Sequence, residues 1–265
     1  MRRTPFKTAL ITGASAGLGA EFARQLAAAG TDVILVARRL DRLEDLAKEL
    51  GAGHSVRVET VQADLSTDEG LAVVEKRIAE HPALDLLVNN AGFGGRNGFV
   101  KGETADHLKM VGVHVDATIR LTKAALTGMI DRGRGAVINL ASIAAFSAFS
   151  GAMYSGTKAF LVMFSQNLQD EVRRKGIVIQ ALCPGMTHTD FHRVAEIDKS
   201  IVPKPFWMTA SKVVRISLRR VGRGVVCVPG WKNKIIAFAM RCPATAVIVR
   251  LVGRTMTVRA RTGEN

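Results

Sequence analysis

Acidic side chains almost disappear from the last quarter of this chain. Between Lys199 and Asn265 there are fourteen Lys or Arg and a single acid, Glu264, so this stretch carries +13 of the formal net charge of +14. The first 198 residues are close to neutral, and such asymmetry points the basic end toward an anionic partner. Cysteine is scarce too. Cys183, Cys227 and Cys242 are odd in number, widely spaced and without a CxxC pair. That excludes a disulfide framework and is expected of reduced thiols in a cytoplasmic protein. No run of about 18 apolar residues occurs, so no membrane-crossing helix is expected. The apolar run 9–11 behind the basic N-terminus is too short for a signal peptide. Repeats and low-complexity tracts are absent. Aromatics make up 5% of the chain, and tyrosine occurs once, as Tyr154.

Apolar residues, by contrast, reach 48%, enough for a large buried core. Apolar, β-branched runs at 7–13, 32–38, 56–65, 84–90, 135–142, 176–183 and 224–229 predict seven strands. Segments of helical periodicity lie between the early runs; one, EFARQLAAAG, ends on Gly30. Ser66 and Glu69 have the spacing of a capping box opening the next helix. Continuous apolar strands alternating with helices predict a single doubly wound, parallel α/β sheet covered on both faces. Its ligands are expected beyond the carboxyl ends of the strands, where the strand order reverses.

The first strand runs through TGASAGLG (12–19) into a helix. Gly13, Gly17 and Gly19 leave room for a tight turn and for a pyrophosphate against the backbone, with Ser15 and Leu18 in the same turn. The second strand ends at Ala37 and is followed by Arg38 and Arg39, where an acid would favour NAD. Two guanidiniums suit a 2′-phosphate instead, hence NADP(H). A solvated basic helix start is the alternative.

TGASAGLG, the NNAG of Asn89 to Gly92, Ser142, the YSGTK of Tyr154 to Lys158 and PGMTHT (184–189) resemble, in order, the signature of the short-chain dehydrogenase/reductase family, over roughly residues 6–192. ALCPG, the VPGW of 228–231 and the basic C-terminal segment resemble a bacterial branch that includes a reductase of mycolic-acid maturation. The family implies a Rossmann-like domain, here expected over 1–230, followed by a basic helical extension over 231–265. It also implies an oxidoreductase moving hydride between a nicotinamide and a carbonyl or hydroxyl carbon. A homo-oligomer, dimer or tetramer, is expected.

Tyrosine ionises near pH 10 and is a poor proton donor at neutrality. Lys158, one helical turn after Tyr154, is expected to favour the phenolate. The resemblance implies that Lys158 also holds the nicotinamide ribose and that Ser142 orients the substrate oxygen toward Tyr154. Ser142 and Tyr154 are twelve positions apart, one fewer than is usual in the family, and a shorter loop over 148–152 is expected to absorb the difference. Ser147 and Ser150 lie too far into that loop to replace Ser142. His114 takes the place of an asparagine thought to hold a relay water. It either holds a water too or is a satisfied helix histidine. By the same resemblance Asp64 and Leu65 face the adenine, Asn90, Ala91 and Gly92 line the adenosine ribose, and Pro184, Gly185 and Thr189 border the nicotinamide. Asp64 has a helix-capping alternative.

His188 and His192 have the spacing of a metal pair, but no third ligand is near, and no metal is expected. The apolar residues between Phe191 and Met208, broken by Pro203 and Pro205, suit a lid near 190–210 over a hydrophobic substrate, or ordinary packing. KNKIIAFAMRC predicts one helix, and Pro243 opens another on which Arg250, Arg254 and Arg261 share a face. That face either lies on an anionic membrane or is merely solvated. A nucleic-acid partner is not expected, because only Phe206, Trp207 and Trp231 offer stacking groups near the cations. A non-catalytic NADP-binding regulator on the same fold is the remaining alternative, against which the intact Ser142, Tyr154 and Lys158 speak.

Overall fold

The computed structural model describes residues 6–81, 83–95, 98–147, 151–188 and 206–241. In chain order these form β1 (Thr8–Thr12), α1 (Gly17–Ala27), β2 (Asp32–Ala37), α2 (Leu40–Gly53), β3 (Val58–Gln62), α3 (Asp68–Ala79), β4 (Leu86–Asn89) and α4 (Thr104–Val111). A π-turn (Gly112–Asp116) joins α4 to α5 (Ala117–Asp131). Then come β5 (Gly135–Leu140), a 3-10 turn (Ile143–Phe146), α6 (Ala152–Val172), β6 (Ile177–Leu182), β7 (Thr187–His188), β8 (Met208–Thr209), α7 (Ala210–Arg220), β9 (Val226–Cys227) and α8 (Trp231–Arg241).

Seven strands build one parallel sheet in the order β3-β2-β1-β4-β5-β6-β9, the doubly wound arrangement expected from the sequence. The order reverses between β1 and β4, so a crevice opens beyond their carboxyl ends. Every residue of β1 and β4 is buried, as central strands covered on both sides must be. One face packs Phe22, Leu26, Leu43 and Val213 against Ile11, Leu35 and Ile138. The other packs Leu71, Val74, Leu121 and Met129 against Leu10, Leu87 and Ile179.

Two local expectations are corrected. The cap of α3 is Thr67, not Ser66: Gly70 N donates to Thr67 Oγ1 at 3.1 Å. Ser66 is engaged elsewhere, donating from its backbone N and its hydroxyl to Asp64 Oδ1 at 3.0 and 2.8 Å. The last strand, expected over 224–229, pairs only at Val226 and Cys227. Glycines at 222 and 224 with φ of +79° and +124° keep the chain before it out of register. The sequence also gave no sign of the two-residue parallel pairing of β7 with β8, which needs residues about twenty positions apart. Thr189, His192, most of the 190–210 lid and the second C-terminal helix lie outside the described residues. No helix among the described residues is long and apolar enough to cross a membrane.

Candidate active site

The glycine-rich turn after β1 is held by its own backbone. Gly13 and Gly17 adopt φ of +67° and +59°, a region closed to most side chains. A Cβ on Gly13 would lie 2.9 Å from Ala91 Cα, and one on Gly19 would run into the Gly13 carbonyl. Thr12, unremarked in the sequence, fastens β1 to the NNAG turn: Asn90 N and Ala91 N donate to its Oγ1 at 2.9 and 3.0 Å. Asn90 Nδ2 donates to the Thr12 carbonyl at 2.8 Å. The α1 N-terminus has no side-chain cap and no acid in its first turn, so its leading amides carry no internal anion. A shallow backbone cradle over uncapped amides fits a pyrophosphate.

Beside the cradle, Arg39 Nη2 donates to Ser15 Oγ at 2.9 Å. Arg38 is exposed, with its guanidinium 3.8 Å from the Asp64 carboxylate. Asp64 braces the turn before α3 through Ser66 and does not cap the helix itself; Leu65 behind it is buried. Both arginines therefore border the groove at the ends of β2 and β3.

The catalytic candidates meet where β5 ends. Ser142 caps the 3-10 turn, accepting from Ala144 N at 3.1 Å, and its side chain lies beside the Tyr154 hydroxyl. Residues 148–150 of the loop expected to absorb the one-residue shortening lie outside the described residues; Gly151 (φ +82°) starts α6 just ahead of Tyr154. Lys158 follows on the inner face of α6 and is only 4% exposed; its Nζ donates to the Leu140 carbonyl at 2.8 Å and lies 5.7 Å from the Tyr154 ring centroid. Pro184 accepts from Ile143 N at 3.0 Å, and a Cβ on Gly185 would run into the Asn233 amide, so these two residues close the same end of the sheet.

The electrostatics differ from the sequence expectation. Burial pushes the Tyr154 hydroxyl up to about 12, countered only by the Ser142 hydrogen bond. Burial also pushes the Lys158 ammonium down to about 7. The desolvation that would strengthen attraction between ammonium and phenolate also strips the lysine of its proton, so in this state Lys158 does not supply a fixed charge that lowers Tyr154. Cys183 and Cys227 are buried free thiols raised by the same desolvation, to about 12 and 11.

His114 lies in the π-turn, 1% exposed, with both ring nitrogens engaged. Nε2 accepts from Phe93 N at 3.1 Å, and Nδ1 is 2.9 Å from Thr157 Oγ1, whose own hydrogen goes to the Tyr154 carbonyl at 3.0 Å. Nδ1 therefore donates. Burial, with Lys158 nearby, holds the imidazole well below its usual value, so it is neutral. Of the two roles open for His114 the geometry favours the satisfied helix histidine. Behind it Asn89 Nδ2 donates to Asn139 Oδ1 at 2.9 Å and Asn139 Nδ2 to Ser165 Oγ at 3.0 Å, tying β4, β5 and α6 together. His188 stacks on Trp207, ring centroids 4.8 Å apart.

The sequence pattern described as short chain dehydrogenase matches residues 7–199. The chain belongs to the short-chain dehydrogenase family. This short-chain dehydrogenase is 33% identical, over 88% of its length and 70% of the relative's, to a very-long-chain 3-oxoacyl-CoA reductase of Coprinopsis cinerea. Among solved structures it is similar to a short-chain dehydrogenase from Sphingobium yanoikuyae in complex with NADPH (TM-score 0.82, 36% identity, 85% of this chain and 88% of that one). It is also similar to a bulky-bulky ketone specific alcohol dehydrogenase from Comamonas testosteroni (TM-score 0.78, 28% identity, 99% and 98% of the two chains).

Proposed function

We propose that this short-chain dehydrogenase is an NADP(H)-dependent enzyme that interconverts a carbonyl and a hydroxyl on a hydrophobic, acyl-type substrate. The observation that carries the proposal is buried Lys158 one helical turn after Tyr154, its Nζ donating at 2.8 Å to the Leu140 carbonyl where β5 runs into Ser142. NADPH, when bound, supplies the hydride that reaches the carbonyl carbon. Ser142 donates to the substrate oxygen and aims it at Tyr154. Tyr154 gives its phenolic proton to that oxygen as negative charge develops there. Lys158 holds the cofactor ribose, and in its protonated form it steadies the phenolate left on Tyr154. Gly13, Ser15, Gly17, Leu18 and Gly19 cradle the pyrophosphate, with Arg38 and Arg39 for the 2′-phosphate. Asp64, Leu65, Asn90, Ala91 and Gly92 line the adenosine, and Pro184, Gly185 and Thr189 border the nicotinamide.

The similarity to a very-long-chain 3-oxoacyl-CoA reductase and to a bulky-bulky ketone specific alcohol dehydrogenase supports a large apolar substrate. NADPH oxidation measured with 3-oxoacyl conjugates of increasing chain length tests this; a rate that does not rise with chain length removes the acyl assignment. Cofactor choice is tested by Arg38→Asp. Loss of a charge-assisted hydrogen bond is worth about 1.5–3 kcal/mol, so the KM for NADPH should rise roughly 10- to 100-fold while that for NADH falls. Wild-type protein with equal affinity for both cofactors overturns the assignment.

The enzyme is proposed to act in the cytoplasm as a homo-oligomer. Exposed Leu108, Ile119 and Met163 on α4, α5 and α6 offer apolar surface for that purpose. Its basic tail is proposed to meet anionic membrane. Reversing charge at Arg250, Arg254 and Arg261 should weaken sedimentation with anionic vesicles and leave turnover of a small soluble carbonyl compound unchanged. Equal sedimentation of both proteins makes the tail irrelevant to membranes.

A further inference from the structure

Helix α8 is amphipathic the wrong way round. Its inner side is anchored by buried Asn233 and Ala237. Asn233 Nδ2 donates to the Pro229 carbonyl at 2.9 Å, and its amide fills the space over Gly185. The outer side, which ordinarily carries polar groups, presents Trp231, Ile235 and Phe238 at 68, 59 and 73% exposure. At 3.6 residues per turn these three lie within about 60° of arc, a continuous apolar stripe rather than scattered exposures. Lys234 and Arg241 border the stripe on one side and Lys232 on the other. From Phe206 to Arg241 the sequence has eight Lys or Arg and no acid.

Charge decides what can cover such a face. A second copy of the chain meeting it across a twofold axis would bring the same cations against each other. Residues 242–265 carry four arginines and one acid, so they would add cations beside cations. An anionic occupant is complementary, and a stripe of Trp, Ile and Phe needs an apolar depth below that charge. A bilayer surface containing anionic lipid offers both, with Trp at the headgroup level and Lys or Arg toward the phosphates.

We infer that the outer face of α8 is a docking surface for anionic membrane. This deepens the membrane contact proposed above for the tail but places it on different residues, so the two can fail separately. The same helix packs onto the turn that follows Ser142, where the Arg241 guanidinium stacks 3.8 Å from the Phe146 ring centroid. Docking through α8 thus brings the turn that follows Ser142 close to the lipid surface.

The two tryptophans make the test direct. Trp207→Phe leaves Trp231 as the sole reporter in the full-length protein. With vesicles of phosphatidylcholine containing phosphatidylglycerol at low salt, the protein should sediment and Trp231 emission should shift to the blue. Both effects should vanish with pure phosphatidylcholine and at high salt. In the otherwise wild-type chain, the combined Trp231→Ser, Ile235→Ser and Phe238→Ser variant should bind these vesicles at least about 100-fold more weakly, and Lys234→Glu about 5-fold more weakly. The melting temperature and turnover of a small soluble carbonyl compound should not change, since these side chains are exposed. A protein that stays in the supernatant at low salt overturns the proposal. So does sedimentation without a Trp231 shift, which would assign binding to the tail. Loss of a dimer in the serine variant with vesicle binding intact would assign the face to a second copy. Salt-sensitive binding to single-stranded DNA but not to vesicles would assign it to nucleic acid; either result ends the membrane assignment.

Discussion

Tyr154→Phe should lose roughly 10²- to 10⁴-fold in turnover while keeping its fold and its affinity for NADPH. The change removes one oxygen, and that oxygen is the group beside Ser142. Burial raises the hydroxyl to about 12, so it stays protonated across any working pH and is available as a proton donor rather than as a base. A nascent alkoxide, far more basic than a phenolate, is the acceptor that such a weak acid can serve. Phenylalanine fills the same volume, which limits the cost to the lost hydroxyl. Single-turnover hydride transfer, NADPH binding and a thermal melt measured on one preparation separate the cases. Near wild-type turnover on a carbonyl substrate removes Tyr154 from the proposed mechanism. A collapse of the melting temperature shows instead that the hydroxyl is structural.

Lys158→Met should lose activity to a similar degree and gain stability at low pH. Lys158 is buried on the inner face of α6, with the Leu140 carbonyl as its hydrogen-bond acceptor at 2.8 Å. Its ammonium is pushed from an ordinary 10.5 down to about 7 by burial. The folded form therefore binds fewer protons than the unfolded chain between these two values, and wild-type stability falls as pH drops from 10.5 toward 7. Below 7 the penalty is complete and constant. Methionine carries none of it and leaves one carbonyl without its donor, a cost of about 1–3 kcal/mol that does not depend on pH. The melting temperature of the variant relative to wild type should thus rise as pH is lowered from 10 to 7 and then level off. A difference that is flat with pH means that Lys158 keeps its proton at neutrality in the folded state. In turnover, wild-type carbonyl reduction should decline above about pH 7 as the lysine loses the proton that steadies the phenolate, a limb that Lys158→Met lacks.

Much of this enzyme follows from spacing along the chain. An apolar strand, glycines at 13, 17 and 19, and a helix with no acid in its first turn specify an anion cradle locally, because strand, turn and helix are contiguous. Arg38 and Arg39 reach the groove simply by following β2. Tyr154 and Lys158 share a helix face because four residues make one turn. The seven-strand doubly wound sheet was legible because buried parallel strands are continuously apolar and short helical segments separate them.

Packing decided the rest, since burial and long-range hydrogen bonds have no signal in local periodicity. Thr12 fastens to Asn90 across 78 positions, and Asn139 to Asn89 across 50. A lone threonine or asparagine in a strand gives no hint of such a partner. Two equally admissible fates for His114 were separated only when Phe93 and Thr157 arrived at its two nitrogens. The influence expected of Lys158 on Tyr154 depends on whether the ammonium is wet or dry, and the closed inner face of α6 makes it dry. Trp231, Ile235 and Phe238 could be recognised as an outward stripe only once Asn233 and Ala237 had turned the opposite side of α8 inward. The sequence by itself determined the fold class and the chemistry carried by neighbouring residues; the tertiary structure decided which of those groups are dry, which are already engaged and which face outward, because solvation depends on the whole assembly of elements and not on any one of them.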